Sequence, residues 1–278
     1  MHSLLRLYDF RFYDFMTFAF TTLRLHDFTT MNKVQYIYTI ADNALILGQR
    51  LGELCGHGPN LETDIAMTNI SLDLFGQTRS YYQYAAGLLG DGATEDTIAF
   101  LRPEREYKNV LLVEQPNTDF AYSIGRQFLF DVFHLLLLEK LQFSKDETLS
   151  AIAQKSIKEV QYHTRFSSDW IKRLGDGTPE SKQKMQTAIN DLWTFTDELF
   201  HQTGADQDMV AQGIGVDVTL LKNDYYKKVN EILTIATLEI PEMKYFQKGG
   251  KQGIHTEHMG YLLADMQYMQ RTFPNMTW

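Results

Sequence analysis

Asp131, His134, Glu159 and His163 are the residues of this chain whose types and spacing could do chemistry. All four fall at helical spacing among apolar residues, where a solvated helix face would not put them. A buried carboxylate costs several kcal/mol unless it is paired, so something must compensate each one. One compensation is a pair of metal ions inside a four-helix bundle. That site needs a Glu from each of two helices and a Glu-x-x-His from each of the other two, because i and i+3 share a face. Neither buried seam meets the demand: Asp131-x-x-His134 is a loose variant, and Glu159 and His163 stand at i,i+4. The other compensation is a hydrogen-bonded polar core without metal. Spacing alone leaves both open.

Other candidates carry less. His255-Thr-Glu-His258 has metal-like spacing, but at a helix start it reads as capping and solvation. Gly249-Gly250-Lys251-Gln252-Gly253, preceded by Lys248, reads as a flexible, positively charged loop able to meet a phosphate. It lacks the Walker pattern and follows no strand. No Gly-x-Gly-x-x-Gly, Gly-x-Ser-x-Gly or nucleophilic Cys/His pattern occurs, which leaves Rossmann hydride transfer and serine hydrolysis unsupported.

The elements that must position these residues are helices. Six prolines leave long proline-free stretches such as 117–178, and no stretch alternates with period 2. The first helix is expected over 33–54, with Ile37, Ile40, Ala44, Leu47, Leu51 and Leu54 on one face, stopped by Gly56-His-Gly-Pro59. A second runs over 62–89 on the seam Met67, Ile70, Leu74, Gln77, Tyr81, Tyr84, Leu88, before an irregular connection over 91–117. The third covers 118–142 with Phe120, Ile124, Gln127, Asp131, His134, Leu138 and Leu141 inward. Ser144 and Glu147 form a capping box for the fourth, 145–174, whose seam includes Ser156, Glu159, His163 and Trp170. Thr178-Pro179 opens a fifth helix reaching about His201, a sixth covers 217–236, and the last covers 257–272. The fold class is all-α, with four long helices of ~35–40 Å.

Composition excludes several functions. The 278 residues are 44% hydrophobic and 22% charged, neither disordered nor membrane-spanning in character. A net charge of -9 argues against non-specific binding to nucleic acid or anionic membranes. The single Cys55 excludes an intrachain disulfide and any cysteine-based zinc or iron–sulfur site, and fits a cytoplasmic home. Residues 1–30 differ from the rest: eight aromatics, no Lys, Glu, Gly or Pro, and Tyr-Asp-Phe at 8–10 and again at 13–15. They read as a spurious or disordered extension ahead of a start at Met31, with 31–278 as one domain. A genuine aromatic arm that docks on a partner is the rival reading.

Three segments carry a family resemblance: Gly48-Gln-Arg-Leu-Gly-Glu-Leu-Cys-Gly-His57, Leu112-Val-Glu-Gln-Pro-Asn117, and Gly249-Gly-Lys-Gln-Gly-Ile-His-Thr-Glu-His-Met-Gly260. Gln183-Lys-Met-Gln-Thr-Ala-Ile-Asn190 and the terminal Trp278 agree. From Met31 onward the chain resembles the PaaC family of structural subunits of bacterial phenylacetyl-CoA epoxidases, and residues 1–30 find no counterpart. The resemblance implies a ferritin-like four-helix bundle with additional C-terminal helices. It implies a non-catalytic structural subunit without cofactor of its own, beside a homologous di-iron catalytic subunit (PaaA), a small subunit (PaaB) and a reductase (PaaE) using flavin, iron–sulfur and NADPH. It also implies degenerate metal-site positions at Glu53, Leu74, Gln77, Asp131, Val160 and His163, with Leu74 and Gln77 replacing one Glu-x-x-His and Val160 the Glu of the other. Without metal, Glu53, Gln77, Asp131 and His163 are expected to hydrogen-bond one another. Lys248, Gly249, Gly250 and Lys251 are expected to contact the catalytic subunit or the anionic CoA tail. The competing reading is a free-standing ferritin-like oxygenase using Glu53, Asp131, Glu159 and His163, with His134 in reserve.

Overall fold

Nine α-helices and no strand are found among the residues that the computed structural model describes, 28–274 and Met276. The expectation for residues 1–30 falls, up to residue 27, outside the described residues, as does the terminal Trp278. In chain order the helices are α1 (28–52), α2 (Leu61–Leu89), α3 (Glu95–Phe100), α4 (Phe120–Leu141), α5 (Glu147–Gly175), α6 (Pro179–Trp193), α7 (Gly204–Ala211), α8 (Lys222–Ile235) and α9 (Glu257–Thr272). The chain is already helical at Phe28, the first described residue, three residues ahead of Met31.

Local chemistry sets most boundaries. The Asn60 side chain accepts from the Thr63 amide at 2.9 Å and starts α2. Asp119 does the same for α4 through the Tyr122 amide at 2.8 Å. Thr178 and Ser181 form a reciprocal capping box at α6, with Pro179 in the first turn where its missing N–H costs nothing. The expected box of Ser144 and Glu147 does not form. Asp146 caps α5 instead, accepting from the Thr148 and Leu149 amides, while the Ser144 hydroxyl donates to the Ile214 carbonyl at 2.7 Å. The fifth expected helix also ends early, at Trp193, and Asp197–Phe200 is a separate 3-10 turn.

α1, α2, α4 and α5 make the ferritin-like bundle, and α4 is its centre. Of its 22 residues 18 are buried, so it has no solvent face and must be wrapped on every side. α5, α6 and α8 do that wrapping. Close approach is built in: a Cβ on Gly125 would stand 3.2 Å from Leu192 Cδ1 of α6. Among the described residues no helix is long and apolar enough to cross a membrane.

Candidate functional site

Axial register decides which side chains could share a site. α1 and α2 run antiparallel, since Ser71 Oγ donates to the Gly48 carbonyl at 2.7 Å and Thr78 Oγ1 to the Ala41 carbonyl at 3.4 Å. Position 74 therefore stands level with position 45. α2 and α5 are fixed by Gln77 Nε2 donating to Glu159 Oε2 at 2.9 Å and by His163 Nε2 lying 3.0 Å from Asp73 Oδ2. α5 meets α4 where Ser167 Oγ donates to Asp131 Oδ2 at 2.8 Å. Leu74, Gln77, Asp131, Val160 and His163 all lie buried in this interior.

Glu53 does not join them. It sits just past the last turn of α1, about eight residues and ~12 Å along the axis from the level of Leu74. Its carboxylate takes the Arg50 guanidinium at 3.0 and 3.1 Å and Asn117 Nδ2 at 3.1 Å. At the level of Leu74, α1 offers Ala41, Ala44 and Leu45, all buried hydrocarbon. Asp42, also nearby, is held bidentately by Arg102 at 2.6 and 3.1 Å.

The expected mutual network of Glu53, Gln77, Asp131 and His163 resolves into separate pairs. Asp131 accepts from Gln127 Nε2 at 2.6 Å and from Ser167. Burial pushes its pKa up to about 7, against the pull of His163 and these two donors. Burial, with the neighbouring His163, pushes His134 down to about 3, so its imidazole is neutral at ordinary pH. Four polar atoms here, Gln77 Oε1, Gln127 Oε1, His134 Nδ1 and His163 Nδ1, are buried without a protein partner. They do not amount to a ligand set: among the described residues no three His, Cys, Asp or Glu side chains gather closely enough to hold a metal ion. A di-iron centre does not fit, because α1 supplies hydrocarbon, α2 supplies Leu74 and Gln77, and Glu159 is engaged with Gln77.

The quoted segments instead build a buried polar scaffold around the 102–117 connection. Glu114, with no exposed side-chain surface, accepts from the Thr256 amide at 2.7 Å and lies 3.0 Å from His255 Nδ1. This corrects the solvated reading of His255, whose side chain is fully buried. Burial opposes charge on that imidazole, yet Glu114 outweighs it and holds its pKa above the ordinary value. Glu198 accepts from the Leu111 and Gly249 amides, both at 2.7 Å. Glu198 and His201 are a Glu-x-x-His outside the helical seams, and the carboxylate is spent on backbone. Glycine is required at Gly250, where a Cβ would stand 2.1 Å from the Asn109 carbonyl oxygen, and at Gly253, with φ +78°.

The charged-loop reading of this segment is corrected too. Lys251 is buried and its ammonium donates to the His201 carbonyl at 2.7 Å, while burial lowers its pKa. Gly249 and Gly250 are buried as well, which leaves Lys248 exposed.

Sequence reasoning missed Asp42, Arg102, Glu114 and Glu198. Arg102 stacks between Tyr38 and Tyr107, each ring centroid 4.2 Å from its Cζ. The acidic residue inside Leu112-Val-Glu-Gln-Pro-Asn117 was the available signal for Glu114.

The comparisons agree with this bundle. The chain is 50% identical over 243 residues to the C component of the 1,2-phenylacetyl-CoA epoxidase of Escherichia coli (strain K12), covering 87% of this chain and 98% of that protein. A family model described as phenylacetic acid catabolic protein, shared by PaaA and PaaC, matches residues 16–278. On these two matches the chain belongs to the PaaA_PaaC family of phenylacetic acid catabolic proteins.

Proposed function

We propose that this chain is the non-catalytic structural subunit of a phenylacetyl-CoA epoxidase, the oxygen- and NADPH-dependent enzyme that epoxidises the aromatic ring of phenylacetyl-CoA. The observation that carries the reading is the ligand level itself. The bundle is retained, while Ala44, Leu74, Gln77 and Val160 occupy its interior where a di-metal site needs carboxylates and imidazole. The name of the Escherichia coli relative supports the same assignment. In this reading a homologous subunit (PaaA) carries the di-iron centre and the ring chemistry. PaaB is the small subunit, and PaaE brings reducing equivalents from NADPH through flavin and iron–sulfur. Of the glycine-rich segment, Lys248 stays available to an anionic CoA tail. The free-standing oxygenase is disfavoured, because Glu53, Glu159 and His163 are committed to separate partners.

The test is reconstitution in the cytosol of a host lacking the pathway. The chain is expected to co-purify with the catalytic subunit, to turn over nothing alone with the reductase, and to be required for full turnover by the catalytic subunit. Turnover by this chain with reductase alone would overturn the assignment.

A further inference from the structure

The buried ring of His255 faces two oxygens that carry no proton. Its Nδ1 lies 3.0 Å from Glu114 Oε2, and its Nε2 lies 3.1 Å from the Tyr107 carbonyl oxygen. A neutral imidazole has one N–H and one lone pair, so it satisfies only one of these acceptors. The geometry calls for the imidazolium. Glu114 matches it as a carboxylate, because its other partners are donors: the Thr256 amide at 2.7 Å and Asn109 Nδ2 at 3.2 Å. Neither side chain has exposed surface. Glu104, in the 104–106 turn, adds a second negative charge at longer range. The neighbouring cations turn elsewhere. Arg50 of α1 meets the Glu114 and His258 carbonyls and the Glu53 carboxylate, and Lys251 donates to the His201 carbonyl.

The residues that follow His255 are held by the same stretch of chain. α9 packs on α3 and on the 104–106 turn. Gln267 Nε2 donates to the Arg102 carbonyl at 3.0 Å and to Tyr107 Oη at 2.8 Å, and the Arg271 guanidinium reaches the Phe100, Leu101 and Arg102 carbonyls. Met259, Leu262 and Leu263 are the buried side of α9, and Met266 lines a groove of about 560 Å³ with Leu45, Phe75 and Phe100. Ahead of His255, Gly249 is fixed by Glu198 and Gly250 by its close approach to Asn109. A hinge therefore falls at Gly253, whose φ of +78° suits glycine, and Ile254, which is exposed.

We propose that the His255–Glu114 pair is a proton-operated latch: loss of the His255 proton releases residues 254–272 from the 99–117 connection while the four-helix bundle stays folded. Without that proton one ring nitrogen turns a lone pair toward an acceptor, and the buried Glu114 charge keeps only an amide and Asn109. Release uncovers the apolar side of α9 and the groove beneath Met266. Because Glu114 holds the His255 pKa above its ordinary value, the latch is at full strength below about pH 6.5 and weakens as pH rises through the folded value.

The test is hydrogen–deuterium exchange of the full chain at pH 6 and pH 9, read by mass spectrometry and corrected for the intrinsic rise of exchange with pH. His255→Gln is compared at each pH, so that other titrations cancel. In the parent chain, protection of the α9 amides is expected to fall by about 5-fold or more between the two values. In His255→Gln, α9 is expected to be poorly protected at both, changing by less than about 2-fold. Any loss in α4 is expected to be the same in both proteins. If His255→Gln does not fold, Glu114→Gln takes its place in the comparison. A second measurement is the ring titration of His255 by magnetic resonance, expected above the ordinary value of about 6.5 in the parent and lower in Glu114→Gln. An α9 loss that the variant matches, a loss of α4 protection in the parent alone, or a parent titration at or below the ordinary value would each overturn the latch.

Discussion

Replacing Asp131 by asparagine should make this protein more stable at alkaline pH. The carboxyl is fully buried, and its pKa stands at about 7 against an ordinary 3.8. A raised acid pKa means the folded state holds a proton that the unfolded state has released, so folding stability falls as pH rises from about 4 through 7. Three pKa units correspond to about 4 kcal/mol between the two ends of that window. An asparagine keeps the shape and removes the titration. Ser167 Oγ can still donate to its oxygen, and the Gln127 amide, whose Oε1 has no partner now, can turn to accept from the new NH2. Asp131→Ala offers neither acceptor nor volume, and leaves Ser167 and Gln127 facing a small void at a cost of roughly 2–4 kcal/mol. The assay is urea unfolding by circular dichroism at pH 5 and pH 8. The difference in stability, Asp131→Asn minus the parent, is expected to move in the variant's favour by roughly 2–4 kcal/mol from the lower to the higher pH. A difference independent of pH would refute the burial argument.

Other perturbations follow from the same geometry. His255, whose pKa is raised beside buried Glu114, contributes stability that is complete below about 6.5 and is lost as pH rises through its folded value. His255→Gln is therefore expected to lower the melting temperature more at pH 6 than at pH 9, and an equal loss at both would contradict the ion pair. Gly250→Ala is expected to destabilise by more than about 2 kcal/mol, because its Cβ would meet the Asn109 carbonyl oxygen at 2.1 Å. Gly76→Ala, in the interior of α2 with open space at the Cβ, is expected to stabilise by roughly 0.5–1 kcal/mol in the same melts. The triple change Leu74→Glu, Gln77→His, Val160→Glu is expected to bind iron poorly, since α1 offers no carboxylate at that level and Glu53 lies ~12 Å away along the axis. Two bound irons per chain in that variant would show that the register is misjudged.

What could be read ahead of the structure follows from how far each signal travels along the chain. The seam Met67, Ile70, Leu74, Gln77, Tyr81 is buried as spaced, because a half-wrapped helix writes its buried face into the 3.6 period. α6 was overextended because Phe195, Leu199 and Phe200 prolong its apolar pattern and are buried, although the backbone has already left the helix. α3 went unseen inside the 91–117 connection, being six residues held by a Thr94–Thr97 capping box rather than by an apolar face. Asp131 and His163 were legible as buried polar residues from spacing alone. Glu53 was misplaced for a different reason: spacing fixes the face of a helix, whereas axial register comes from contacts such as Ser71 with Gly48. Asp42, Glu114 and Glu198 stayed hidden because partners 60, 141 and 87 residues away satisfy them.

The measurement that bears most directly on the account is the iron content of the isolated full chain, purified from iron-replete cells without the catalytic subunit. Well under one iron per chain is expected, with no oxo-bridged di-iron absorption, since Ala44, Leu74, Gln77 and Val160 leave the interior without a ligand set. Close to two irons per chain with that absorption would contradict the structural-subunit assignment.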